Sequence, residues 1–365
     1  MILSKPTSFF ATLENSLSEI EKQKEALRNL TAHDNWGELT RYEGKDKDYV
    51  LVIGESVRRD YMHVYGYPVQ NTPFIESIPS IVVDGLTSGG PYTIESLRLM
   101  LTLADKKKWQ PDFTRNIVDL ANKAGIETFW FSNQGYIGKY DTPISAIGVR
   151  AKNVVFLNKS SYDTAHYSDT KLLPIVFKNV QKEANGARLF VLHTLGSHPD
   201  ICARVKEMKD PFRHADETKS EVACYVSSIK LMDEMLKEIY DFMTEREKLT
   251  GRPFSILYFS DHGLAHVKEG KILLGNYYIS KLHFNIPLFV IDSEQKDMKY
   301  LRSKKSGLSF TEGLAHWMGI TNPLLREYDL FDGKSDLFDY GLSEKIKAIK
   351  HPLDPAIDIS DGLVN

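Results

Sequence analysis

The chain has 365 residues, 42% hydrophobic and 11% aromatic, so it has enough apolar mass for a sizeable core, and a mainly disordered chain is excluded. Lysine and arginine number 46 against 49 acids, a formal charge of −3, so no basic excess points to nucleic acid. The two cysteines, Cys202 and Cys224, exclude a disulfide-dense scaffold and a four-cysteine metal site, and no apolar run approaches the ~18 residues a membrane helix needs.

In chain order, residues 10–32 read as an amphipathic helix, with Phe10, Leu13, Leu17, Ile20 and Leu27 near helical spacing. Residues 31–47 are polar and broken by Gly37 and Gly44. We therefore read 1–47 as a linker with its helix, 48–331 as one catalytic domain and 332–365 as a C-terminal surface tail. Within the domain, short apolar runs predict buried strands at Tyr49–Ile53, Ile81–Val83, Thr128–Phe131, Leu189–Leu192, Ile256–Phe259 and Pro287–Ile291. Helical patterns fall between them at 93–103, 113–124, 169–182, 221–244 and 309–317. This alternation predicts an α/β fold, a three-layer αβα with a mostly parallel central sheet.

In such sheets functional groups collect at the carboxyl ends of the strands. YVLVI runs into Gly54-Glu55-Ser56, ILYF into Ser260-Asp261-His262-Gly263, and LFVL into His193 and the loop to His198. Each has a bland reading: Glu55 as a helix cap, Asp261 to Gly263 as a turn, His193 as a core imidazole, and Arg58 and Arg59 as surface partners. Together they favour a metal or acid–base site. Carboxylates and imidazoles without thiolate suit a catalytic Zn2+, with Mn2+ second. Thr93 follows Gly89-Gly90-Pro91-Tyr92 at a helix start, either as a plain N-cap or as a hydroxyl where amides and dipole favour phosphate.

With these residues in view the chain resembles the catalytic domain of bacterial phosphoethanolamine transferases, within the sulfatase/alkaline phosphatase superfamily. The segments that carry the resemblance are VLVIGESVRRDYMHVYGYPVQNTPF (50–74), GGPYTIESLRLMLT (89–102), FVLHTLGSHP (190–199), FSDHGLAH (259–266) and NIPLFVI (285–291). The resemblance implies an alkaline phosphatase/sulfatase-like fold, with zinc held by Glu55, Asp261, His262 and Thr93, and with Thr93 as nucleophile. It implies acid–base roles for His198 and His193 and keeps Ser96, a candidate substrate contact, three residues after the nucleophile. It also implies phosphatidylethanolamine as donor, lipopolysaccharide as acceptor, and a periplasmic domain anchored by an N-terminal transmembrane region that this chain does not include.

Some positions depart from the family pattern. Gly263 is followed by LAHVKEG, Leu274-Gly275 stands where a His-Gly pair is expected, and Pro91 stands where a threonine is usual. His266 or His283 is then the candidate for the missing imidazole, and Arg58 for a headgroup contact. An inner-core sugar is the preferred acceptor. In an oxidising compartment Cys202 and Cys224 are expected to pair. The competing readings are a phosphate-ester or phosphodiester hydrolase of the same superfamily and a non-catalytic binding domain. A sulfatase is disfavoured, because no C/S-x-P-x-R element surrounds Thr93.

Overall fold

The computed structural model describes residues 34–41, 46–136, 142–158 and 168–364. The helix expected over 10–32 lies outside them. The central sheet is built from β1 (Asp48–Gly54), β2 (Ile81–Val83), β3 (Glu127–Ser132), β4 (Asn153–Phe156), β5 (Arg188–His193), β6 (Phe254–Ser260), β7 (Leu288–Asp292) and β8 (Lys299–Leu301). Their order is β8-β2-β7-β6-β1-β5-β3-β4. β7 is antiparallel to both of its neighbours, and the other pairings are parallel.

Side chains alternate between the two faces of the sheet, as a pleated strand requires. Val50, Val52, Phe190, Leu192, Ile256 and Tyr258 join one core, and Leu51, Ile53, Leu189, Val191, Leu257 and Phe259 join the other. The helices are α1 (Thr93–Met100), α2 (Ile117–Lys123), α3 (Thr142–Gly148), α4 (Leu173–Val180), α5 (Ser220–Thr250) and α6 (Phe310–Trp317). α4 and α5 cover the first core, and α2, α3 and α6 cover the second. α5 runs further than the apolar stripe alone indicated and stops at Gly251, whose φ of +69° suits glycine.

Four features differ from the sequence reading. The edge strands β4 and β8 are not among the predicted strands: β8 exposes Lys299 and Tyr300, and β4, although it reads Val154-Val155-Phe156, lies half-exposed at the sheet edge. Residues 34–41, read as part of the linker, belong to the domain. Trp36 is buried and donates its indole N–H to Asn116 O (2.9 Å), while Thr40–Arg41 pairs with Ile320–Thr321. The C-terminal residues do wrap the surface, but they are tied down: Ile359 is fully buried and Leu363–Val364 pairs with Arg213–His214. Thr93 is the first residue of α1 rather than its cap, which is Tyr92. Cys202 and Cys224 form a disulfide that joins the short helix Ile201–Arg204 to the first turn of α5.

Candidate active site and metal centre

β1 lies between β5 and β6, with Ile53 opposite His193 and Gly54 opposite Ser260. The three strands therefore end at one edge and deliver Glu55, His193 and Asp261-His262 to one place. Gly54 is required there, since a Cβ would sit 2.4 Å from the Tyr258 hydroxyl. Ser56 holds a φ of +62°, a strained conformation for a residue with a side chain. It is pinned by its N–H to Asp261 Oδ1 (2.9 Å) and by the Tyr225 hydroxyl donating to its carbonyl (2.6 Å).

Glu55, Asp261 and His262 are all buried, and one ligand atom from each lies within 4.8 Å of the others. Asp261 Oδ1 accepts the N–H groups of Ser56 and His262, while Oδ2 is buried with no partner among the described residues. His262 Nδ1–H donates to Gly263 O (2.6 Å), which turns Nε2 toward the carboxylates, 3.4 Å from Glu55 Oε1 and 3.5 Å from Asp261 Oδ2. Glu55 Oε1 accepts from the Ser56 hydroxyl (2.7 Å) and Oε2 from Gln134 Nε2 (3.1 Å). An orphaned carboxylate oxygen beside an aimed imidazole nitrogen fits a divalent cation with hard or borderline ligand preferences, such as zinc.

The electrostatics agree. Burial opposes ionisation of Glu55, but the hydrogen bond and charge of His262, and the charge of His198, hold it below the usual carboxylate range. Burial and the charge of Glu55 push Asp261 up to about 8. Burial works against the charged form of His262, yet Asp261 and Glu55 raise it to about 9. Two carboxylates this close and this dry call for a proton or a cation between them.

Thr93 Oγ1 donates to Glu55 Oε2 at 3.1 Å and lies 3.3 Å from His262 Nε2. Ser96 does not face this space: it is buried, and its hydroxyl donates to the carbonyl of Asp261 (2.7 Å), fixing the Asp261 backbone. His193 is buried, edge-on to Trp130, and its Nε2 has no partner among the described residues; burial pushes it down to about 4. His198 sits in the loop after β5, and its charge acts on Glu55.

Arg58 is neither a surface cation nor a headgroup contact. It is fully buried, with its guanidinium bonded to Asp60, the carbonyl of Leu264, His266 and Asp354. Arg59 pairs with Asp84. His266 belongs to the Arg58 cluster, with Tyr61 Oη 2.7 Å from its Nε2, and burial and the Arg58 charge push it down to about 4. His283 comes nearer: its ring lies parallel to His262 with centroids 6.3 Å apart, and Tyr92 is edge-on to both. Its Nδ1 accepts from Ser280 N and its Nε2 donates to Asn276 Oδ1, so it walls the site as a neutral ring. Burial pushes it down to about 3, and the charge of His262 adds to the shift.

Sequence reasoning missed two residues. Gln134 ties Glu55 to Thr194 O (2.8 Å). It lies just past the end of β3, so the strand-end rule reaches it. Asp169 accepts from Asn133 and from the N–H groups of Leu195 and Gly196, clamping the loop that carries His198. No local pattern marks it.

A hydroxyl at a helix start, set against two carboxylates and an imidazole at the carboxyl edge of a largely parallel sheet, defines a phosphate- or sulfate-ester-processing class of site. The chain belongs to the sulfatase family, whose model matches residues 47–320. It is 42% identical over 262 residues to a Haemophilus influenzae protein named putative phosphoethanolamine transferase, covering 71% of this chain and 54% of that one. It is 34% identical over 309 residues to phosphoethanolamine transferase OpgE of Escherichia coli, covering 84% of this chain and 56% of that one. The chain thus spans about half the length of these curated relatives. The zinc complex of the C-terminal periplasmic domain of Escherichia coli EptC shares the fold, with a TM-score of 0.67 at 20% identity over 89% of this chain and 99% of that one. Among the described residues no helix is long and apolar enough to cross a membrane.

Proposed function

We propose that this chain is the catalytic domain of a phosphoethanolamine transferase acting at the periplasmic face of the bacterial inner membrane. It takes phosphoethanolamine from phosphatidylethanolamine and delivers it to a lipopolysaccharide sugar, with an inner-core sugar as the preferred acceptor. One observation carries the reading: Thr93 Oγ1 lies 3.1 Å from Glu55 Oε2 and 3.3 Å from His262 Nε2, at the start of a helix. The names of the relatives above support the group transferred.

Glu55, Asp261 and His262, with Thr93 beside them, are the residues that would hold zinc, and Mn2+ is the weaker alternative. Bound there, zinc supplies Lewis acidity that makes a neighbouring hydroxyl more acidic and offsets phosphoryl charge. The rest of the work falls to the chain. Thr93 passes its proton toward Glu55 Oε2, to which it already donates, and Oγ1 attacks phosphorus. The bond from phosphorus to the glycerol oxygen breaks, and diacylglycerol leaves after His198 gives that oxygen a proton. The free amides at the start of α1 favour the phosphoryl oxygens. In the second half, a sugar hydroxyl attacks the phosphorus on Thr93, the bond from phosphorus to Oγ1 breaks, and Oγ1 takes back its proton from Glu55 Oε2. His198, neutral once it has given up its proton, or His193 takes the sugar's proton.

The test is mass spectrometry of protein incubated with phosphatidylethanolamine and no acceptor. One phosphoethanolamine should appear on the peptide containing Thr93 and be absent from Thr93→Ala. Undiminished transfer by Thr93→Ala overturns the assignment. Adding core oligosaccharide separates transfer to sugar from release to water, the outcome expected of a hydrolase.

A further inference from the structure

A cavity that the chemistry above does not use borders the loop that carries His198. It encloses about 340 Å3, within the range of small-ligand pockets. Gly196 belongs to both spaces: it lines the cavity, and a Cβ on it would stand 2.9 Å from the backbone N and O of Glu55. The turn from Leu195 to His198 is thus the partition between the cavity and Glu55. The short helix Ile201–Arg204 supplies Ala203 and Arg204 to the lining, and α5 supplies Leu231. Burial pushes Arg204 down, against the charges of Asp169, Asp200 and Glu55. A Glu55 charge felt at this guanidinium places it on the site's side of the cavity.

The ionic groups of the lining are balanced. Two cations, Arg204 and Lys206, are matched by two carboxylates, Asp169 and Glu207. Such a lining selects by hydrogen bonding rather than by net charge. An acyl chain is a poor occupant, because four ionisable groups would give up water for hydrocarbon. An anion gains from Arg204 and Lys206 about what it loses to Asp169 and Glu207. A sugar ring suits the space: its hydroxyls donate to the carboxylates and accept from the guanidinium and ammonium, while its C–H face covers Ala203 and Leu231.

We infer that this cavity is a subsite for one neutral sugar ring of the acceptor, next to the sugar whose hydroxyl is modified. The inference rests on the transferase reading above and names where that acceptor is gripped. A ring held here keeps its neighbour beside His198, across the turn at Gly196. Asp169 then has two tasks: it clamps that turn through Leu195 N and Gly196 N, and it lines the cavity.

Isothermal titration calorimetry of the full 365-residue chain with core oligosaccharide reads binding independently of any transfer. The chain should bind the oligosaccharide equally well before and after its phosphates are removed. Arg204→Gln should weaken binding by about tenfold or more, the worth of a hydrogen bond to a charged group. Ala203→Trp, which fills the cavity from an exposed position, should abolish it. Lys237→Gln/Lys248→Gln, exposed further along α5, should bind as the parent does. Once charged with phosphoethanolamine on Thr93, the cavity variants should need correspondingly more oligosaccharide for half-maximal discharge, while phosphatidylethanolamine charges them at the parental rate. Circular dichroism confirms that each variant is folded. No binding, parental binding by both cavity variants, a requirement for the acceptor's phosphates, or an equal fall in the rate of charging would overturn the inference. Binding lost in the cavity variants of a chain that is never charged on Thr93 would uphold the subsite and overturn the transferase reading instead.

Discussion

Removing the Cys202–Cys224 bridge separates stability from site geometry. The bridge closes a loop over a sequence separation of 22, and chain entropy for a loop of that length gives about 3 kcal/mol. Little apolar packing is lost with it, because Ile201 and Val222 stay buried on either side. The loop before it has its own anchors. Leu195 and Gly196 donate to Asp169, Ser197 N donates to Glu55 O (3.0 Å), and Ser197 Oγ lies 2.6 Å from Ser228 Oγ. Cys202→Ala/Cys224→Ala should therefore melt about 5 °C lower and lose about 3 kcal/mol in equilibrium urea unfolding. Its transfer rate well below the melting temperature should be unchanged. A parental protein treated with reductant should show the same loss, and the double variant should be insensitive to reductant. A loss under about 1 kcal/mol would refute the loop-entropy argument. A collapse of activity in a folded variant would refute the claim that Asp169, Glu55 and Ser228 hold the loop.

Three further outcomes follow from single contacts. Gln134→Leu removes a donor from Glu55 Oε2 and should weaken zinc binding about 10- to 100-fold in a competition titration, while the melting curve moves little. Trp36→Ala should cost about 3–5 kcal/mol of stability, read from the urea midpoint; a loss near zero would return residues 34–41 to the status of a linker. Asp233, buried on α5 and accepting from Phe74 N and Ile75 N, is pushed up to about 7, mainly by burial. A carboxyl raised in the folded state stabilises when protonated. Stability should therefore be full below the unfolded value near 4 and fall as pH rises through 7, by about 4 kcal/mol at most, and Asp233→Asn should flatten that slope.

Much of the site was legible because buried parallel strands write themselves as unbroken apolar runs, and the residue after each run is forced to the sheet edge. That logic finds Glu55, His193 and Asp261-His262 without any knowledge of pairing. It does not reach what depends on distant partners. Arg58 reads as surface charge in RRD, yet it is buried because Asp354, near the other end of the chain, comes to meet it. Ser96 reads as a substrate contact, but helical geometry turns it under Asp261. β7 reads as one more parallel strand, since nothing in its four buried residues encodes direction. The edge strand β8 and the tail carry weak apolar patterns because half of each faces water.

The division of labour within Asp261 accounts for how such a site survives folding. Two carboxylates and an imidazole gathered in a dry edge would repel or neutralise one another unless each had a fixed orientation. Asp261 commits one oxygen to two backbone amides, Ser56 N and His262 N, and so locks the end of β1 to the end of β6 across more than two hundred residues of sequence. That lock also accounts for the left-handed Ser56: the turn that presents its N–H to Asp261 is the turn that aims Glu55 inward. The other oxygen is then left buried with no hydrogen-bond partner among the described residues, 3.5 Å from His262 Nε2, at a cost that the backbone lock helps to offset. An aspartate serving only the fold would find partners for both oxygens. Here the fold holds one and leaves the other, with Nε2 of His262 and the hydroxyl of Thr93, turned toward the same space.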